Sequence, residues 1–140
     1  MVGQRITLGD NGQVALRPDG IVQVRWFSGA SIGEADAVVA MAAVDSLGGG
    51  RGTRVLVDIA GISGLSRAGR AVFARRCSAR KVALLGASPV DQVIANFFLR
   101  LNIPPCPTRY FSSSAEAEGW LVTPTASVGA KRRCARRPRK

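Results

Sequence analysis

The stretch Arg54-Val55-Leu56-Val57-Asp58-Ile59-Ala60-Gly61 decides how the rest of the chain is read. Its apolar run from Val55 is nearly continuous, without the alternation of a strand wetted on one side. That pattern suits a central strand covered on both faces. Upstream, Gly48-Gly49-Gly50 stops a helix that reaches about Leu47. Ser31-Ile32-Gly33-Glu34 has the spacing of a capping box at the start of that helix. Before it, Gln13–Arg17 and Ile21–Trp26 flank Arg17-Pro18-Asp19-Gly20, a tight turn, and form a β-hairpin. In the second strand Val22, Val24 and Trp26 point one way, Gln23 and Arg25 the other.

Downstream of Gly61, Ser66 can cap a second helix ending near Cys77. Val82–Leu85 is another buried strand. Ser88-Pro89-Val90-Asp91 opens a third helix, with proline at its first position and aspartate near its positive end. Val90, Val93, Ile94, Phe97, Phe98 and Leu101 recur with helical spacing along it. Asn102 and Ile103-Pro104-Pro105 end that helix. Thr108–Phe111 is a short strand, and Ser113 with Glu116 opens a last helix presenting Ala117, Trp120 and Leu121. The expected order is β-β-α-β-α-β-α-β-α. It implies an α/β fold with a mixed, largely parallel sheet and helices packed on it.

Composition limits the chemistry. The 140 residues suit one domain with an appendage, and a chain of this size buries a substantial core. The longest apolar run, Ala37–Val44, is far below the roughly 18 residues of a membrane span. Met1–Arg5 leads into no apolar signal core, so secretion is not expected. No histidine is present, which removes the commonest general base and zinc ligand. Cys77, Cys106 and Cys134 are an odd, widely spaced set, which fits reduced thiols and a cytoplasmic location.

The net charge of +11 is uneven. Lys131, Arg132, Arg133, Arg136, Arg137, Arg139 and Lys140 place seven basic groups in the last ten residues. Residues 1–130 keep 13 basic and 9 acidic groups, a balance of +4. The domain is therefore placed at 1–122, with 123–140 expected to be a disordered basic tail. That tail is a solvated, solubilising segment or a weak, salt-sensitive nucleic-acid binder. It has no interleaved aromatics to read bases. An anionic membrane surface would hold it only weakly without an acyl chain or apolar helix.

The element order, with Val55–Gly61 at its centre, resembles the STAS domain, whose best-known members are the bacterial anti-sigma-factor antagonists. Their pattern is an apolar strand, Asp, an apolar and a small residue, Gly, a short loop, then Asp-Ser-x-Gly opening a helix. Here Ile62-Ser63-Gly64-Leu65 occupies the loop and Gly69 falls on the helix glycine. The resemblance covers about Val14–Val122 and is nearest to small stand-alone bacterial members without assigned activity. It implies a non-catalytic regulatory module that binds a protein partner, such as an anti-sigma-type regulator, and needs no cofactor. The partner-binding residues it implies are Ser63, Ser66, Arg67, Gly69, Arg70 and Arg75, with the adjacent hairpin end.

One departure bears on regulation. Where the family has Asp-Ser, this chain has Ser66-Arg67, so its phosphorylated position is an arginine. The phosphoserine switch is therefore not expected. Ser66 and Ser63 are the remaining hydroxyls that could take phosphate, and Ser66 also suits a helix cap.

Other features have plain structural explanations. Arg67, Arg70, Arg75, Arg76, Arg80 and Lys81 carry no acidic neighbour and make a solvated basic face or an anion-recognising one. Gly69, Val72, Phe73 and Cys77 form that helix's inner stripe. Asp58 is expected to accept hydrogen bonds from the following loop. Glu116 and Glu118 cannot face each other at their spacing and are surface charge. Gly48–Gly52 follows a helix and precedes a strand, the wrong order for a phosphate loop. Phe97 and Phe98 are expected in the core, with lining of a small apolar ligand's pocket as the alternative. No nucleophile–base pair or metal cluster can be assembled, so an enzyme is not expected.

Overall fold

A computed structural model describes residues 5–48, 52–75, 79–101 and 106–123. Strands β1 (Arg5–Leu8), β2 (Gly12–Leu16) and β3 (Val22–Trp26) come first. A two-residue β4 (Ser31–Ile32) and α1 (Glu34–Gly48) follow, then β5 (Thr53–Asp58), a two-residue β6 (Gly64–Leu65) and α2 (Arg67–Arg75). The chain continues through β7 (Ala79–Leu85), α3 (Pro89–Leu101), β8 (Thr108–Phe111) and α4 (Ser114–Val122). The main sheet runs β1-β2-β3-β5-β7-β8, antiparallel over its first two pairings and parallel over the next three. The expected α/β sandwich with a mixed sheet is what forms.

The expected order lacked β1, β4 and β6. β1 is a short edge strand with only Leu8 buried, so it carries little apolar signal. β4 and β6 are two residues each and pair only with one another, in parallel. That pairing also corrects the first helix cap. Ser31 is held by the β4–β6 ladder rather than capping α1. Instead, the Gly33 amide donates to Asp36 Oδ2 at 2.9 Å, while Asn11 Nδ2 donates to Asp36 Oδ1 at 3.0 Å. Asp36 thus supplies the carboxylate half of a box one turn inside the helix.

β5 is buried on both faces, as its sequence implies. Val55 packs into the larger core with Val14, Val24, Trp26, Ile32, Ala40 and Ala95, beneath α1, α2 and α3. Leu56 packs on the other face with Ile21, Ala83, Phe111, Ala117 and Leu121, beneath α4. α1 contributes mainly alanines, Ala37, Ala40 and Ala43, so it lies close to its neighbours. The hairpin turn is tied to α4, because Arg17 contacts both Asp19 (2.9 Å) and Glu118 (3.0 Å). Glu118 is therefore a bridging residue rather than plain surface charge.

Arg80 and Lys81 belong to β7 rather than to a basic helical face. Lys81 is buried, and its Nζ donates to Trp120 O (2.7 Å) and Thr123 O (2.8 Å) while lying over the Trp120 ring. Arg54 Nε donates to Leu121 O at 2.6 Å. α4 has no basic residue in its last turn, so two strand cations satisfy its terminal carbonyls. Burial, then the nearby Arg54 charge, lowers the Lys81 pKa below 10.5.

Cys106 is disulfide-bonded, which corrects the expectation of reduced thiols at that residue; its partner lies outside the described residues. Residues 49–51, Arg76, Cys77, the helix stop expected at 102–105, and residues 124–140 with all seven basic groups of the tail lie there too.

Candidate functional site

The loop after β5 is fixed by backbone geometry before any side chain matters. Gly61 has φ +80°, and a Cβ there would meet Ser28 Oγ at 2.6 Å. Only glycine takes that conformation without strain. Its carbonyl accepts from the Gly29 amide at 2.7 Å, and Asp58 Oδ1 accepts from the Ala60 amide at 3.0 Å. Asp58 thus serves the following loop as its sequence position suggests. Ser63 donates through its amide (2.8 Å) and hydroxyl (3.1 Å) to Ala30 O. The Ser66 amide donates to Ile32 O at 2.9 Å, and β6 lies between these two anchors.

Ser66 Oγ accepts from the Gly69 amide at 3.0 Å, the geometry of an N-cap on α2. Arg67 follows on the exposed first turn. Gly69 is buried, and a Cβ there would lie 3.2 Å from Gly33 O, so its smallness lets α2 approach the start of α1. Val72 is buried and Phe73 half-buried, as the inner stripe implies. Arg75 is the last residue of α2.

Arg70 departs from the expected outward position. It is half-buried, donates from Nη1 to Leu65 O at 3.1 Å, and holds its guanidinium 4.9 Å from the centre of the Phe97 ring. Its Nε is buried without a hydrogen-bond partner. α2 and α3 therefore meet around Arg70 and Phe97, and a groove of about 240 Å³ lies there, lined by Leu65, Arg70, Val93, Ile94 and Phe97.

The α3 stripe divides. Phe98 is buried in the core, but Val90, Val93 and Phe97 are 64%, 66% and 50% exposed. The expectation that both aromatics fill the core is corrected for Phe97. α3 instead turns Asp91 and Ala95 inward beside Phe98.

Asp91 organises the strand ends around the site, a role its position near a helix start indicates only in part. It is 1% exposed. Oδ2 accepts from the amides of Ala87 (2.8 Å) and Ser88 (3.1 Å), and Oδ1 from the Gly61 amide (3.1 Å). Ser88 Oγ accepts from the Asp91 amide in return, which completes a capping box. The sequence signal for that box is Ser88-x-x-Asp91; the bond to Gly61 has none. Burial pushes the carboxyl pKa up, but the Ala87, Gly61 and Ser88 donors outweigh it and hold it below 3.8. Burial, then the Asp91 charge, raises Tyr110 above 10.0.

Among the described residues no group of three or more cysteines and carboxylates is placed to hold a metal ion, and no helix is long and apolar enough to cross a membrane. The geometry offers an apolar patch with a cationic edge, next to a loop held by backbone hydrogen bonds.

A family model described as a domain of unknown function, DUF7793, matches residues 14–124. The crystal structure of an uncharacterised protein of the DUF3478 family from Shewanella loihica PV-4, described as having a SpoIIAA-like fold, superposes with a TM-score of 0.55. It is 14% identical, and the match covers 86% of this chain and 96% of that one. The fold is thus SpoIIAA-like, the STAS-like architecture that the motif around Val55–Gly61 implies. A crystal structure of a protein with unknown function from Arthrobacter sp. FB24 is 49% identical, covering 79% of this chain and 99% of that one, with a TM-score of 0.32. No curated protein matches the chain.

Proposed function

The chain belongs to the DUF7793 family of domains of unknown function, and from that premise we propose that it is a non-catalytic STAS-like regulatory module that binds a protein partner. The observation that carries this is the exposed stripe Val90, Val93 and Phe97, lying beside Arg70 with Arg67 on the neighbouring helix start. Apolar centres with a charged rim are the usual anatomy of a specific protein interface. The rim here is cationic, so the matching partner presents acidic side chains around an apolar anchor, as an anti-sigma-type regulator could.

Arg67 occupies the position of the switch serine in the STAS resemblance, so partner release does not run through phosphate there. Ser66 and Ser63 remain exposed but engaged, one as a cap and one to Ala30 O. Phosphate on Ser66 would displace the cap while adding negative charge beside Arg67.

The test uses Arg67→Glu with Val93→Glu, two exposed side chains whose change leaves the core untouched. Proteins captured from a lysate by the full chain are compared with those captured by the variant at equal fold content by circular dichroism. A partner retained by the wild type and lost by the variant is expected. Equal retention by both would overturn the surface assignment.

A further inference from the structure

The helices α1, α2 and α3 do not fill the space between themselves and the sheet. A cavity of about 130 Å³ lies there, walled by Trp26, Val57 and Leu84 of the sheet and by Met41, Phe73 and Phe98 of the helices. Protein interiors leave few voids larger than a water molecule. The polar lining is confined to Asp45, Cys106 and Thr108, on the side where β7 and β8 begin. Toward α2, Leu65 and Ile94 line both this cavity and the Arg70 groove, so the two spaces adjoin.

Arg70 lines the groove beside Leu65 and Ile94. Its Nη1 is fixed by Leu65 O, its plane lies against Phe97, and its Nε is buried with no acceptor. A buried donor left unpaired is costly, and a turn of the Arg70 side chain toward the groove it lines would offer that donor to an anion. A guanidinium fork suits a carboxylate, with two parallel N–H donors for two oxygens.

We infer that the chain binds a small carboxylate carrying an apolar group, with that group in the cavity and the carboxylate on Arg70. The volume sets the size. An apolar cavity of about 150 Å³ stays dry and takes up benzene, so this one fits a ring or chain of about six carbons. The carboxylate end shares Arg70 and Phe97 with the interaction surface proposed above, whereas the cavity does not, and ligand titration without a protein partner tests the two separately.

Benzoate and hexanoate are the probes, titrated into the full chain by calorimetry and by methyl NMR, with benzene as the uncharged control. Saturable single-site binding is expected, with shifts at the methyls of Leu65, Val57 and Ile94. Arg70→Gln should weaken benzoate by about tenfold or more and leave benzene uptake unchanged. Ala95→Leu, which grows into the cavity, should abolish both. If Ala95→Leu does not fold, the benzoate-against-benzene comparison in Arg70→Gln decides alone. Absence of saturable benzoate and hexanoate binding to the wild-type chain would overturn the proposal. So would equal benzoate affinity in Arg70→Gln, or shifts confined to the exposed methyls of Val90 and Val93.

Discussion

Asp91 shows how one side chain can align two loops. Its carboxylate gathers amides from Gly61 at the end of β5 and from Ala87 and Ser88 at the end of β7. Hydrogen bonds to a charged group contribute about 1.5–3 kcal/mol each, more than neutral ones. The folded pKa lies below 3.8, so the native state holds fewer protons than the unfolded one in the window beneath that value. The stability from Asp91 is fully present above pH 3.8 and is lost as pH falls through the folded pKa. Asp91→Asn should cost roughly 2–4 kcal/mol at neutral pH. It should also flatten the acid limb of thermal melts recorded from pH 5 downward. An unchanged acid limb would show that other carboxylates govern it.

At the scale of elements, α4 depends on cations that lie on other strands. Its last turn lacks a basic residue, and Arg54 of β5 and Lys81 of β7 donate to the carbonyls of Leu121, Trp120 and Thr123. Because Lys81 is buried beside Arg54, its pKa is depressed below 10.5. A depressed lysine means fewer protons on the folded than on the unfolded chain just below 10.5, so stability rises with pH through that window. Tyr110 acts oppositely, since its pKa is raised and its contribution is lost as pH climbs above 10.0. Lys81→Met should therefore reduce the rise in melting temperature seen as pH approaches 10. A rise of the same size in the variant would place its origin elsewhere. Thr123 O is one of the Lys81 acceptors, so a shortened chain must keep Thr123 for α4 to retain both bonds.

At the scale of the whole molecule, the sheet is strongest where it is covered twice. β5 and β7 lie between the helix layer of α1–α3 and the α4 layer, whereas β1 is an edge strand paired only with β2. Local opening follows burial and pairing. Native-state amide exchange should show Val55–Val57 and Val82–Leu84 opening only with global unfolding. Ile6 and Thr7 should exchange at lower free energy. Equal protection of β1 and β5 would mean that the sheet opens as one unit.

The central strand, the hairpin, the starts of α2, α3 and α4 and the α/β class were legible because each rests on short-range pattern. Val55–Asp58 has no wet face, Ser66 and Ser113 accept from the amides three residues ahead in the helices they cap, and Thr108–Phe111 is bounded by a proline and serines. Other features required the tertiary structure. The apolar stripe of α3 has one period, yet the fold buries Phe98 and leaves Phe97 exposed, because Asp91 must face inward to reach Gly61 thirty residues away. Arg70 and Lys81 look alike as charges in a basic run. One lies against a ring at the edge of a cavity, and the other ends a helix beyond the opposite face of the sheet. Periodicity and capping act over a few residues and can be read along the chain. Which face of a helix is covered, and which cation meets which carbonyl, depends on contacts between segments far apart in sequence, and those exist only once the sheet is assembled.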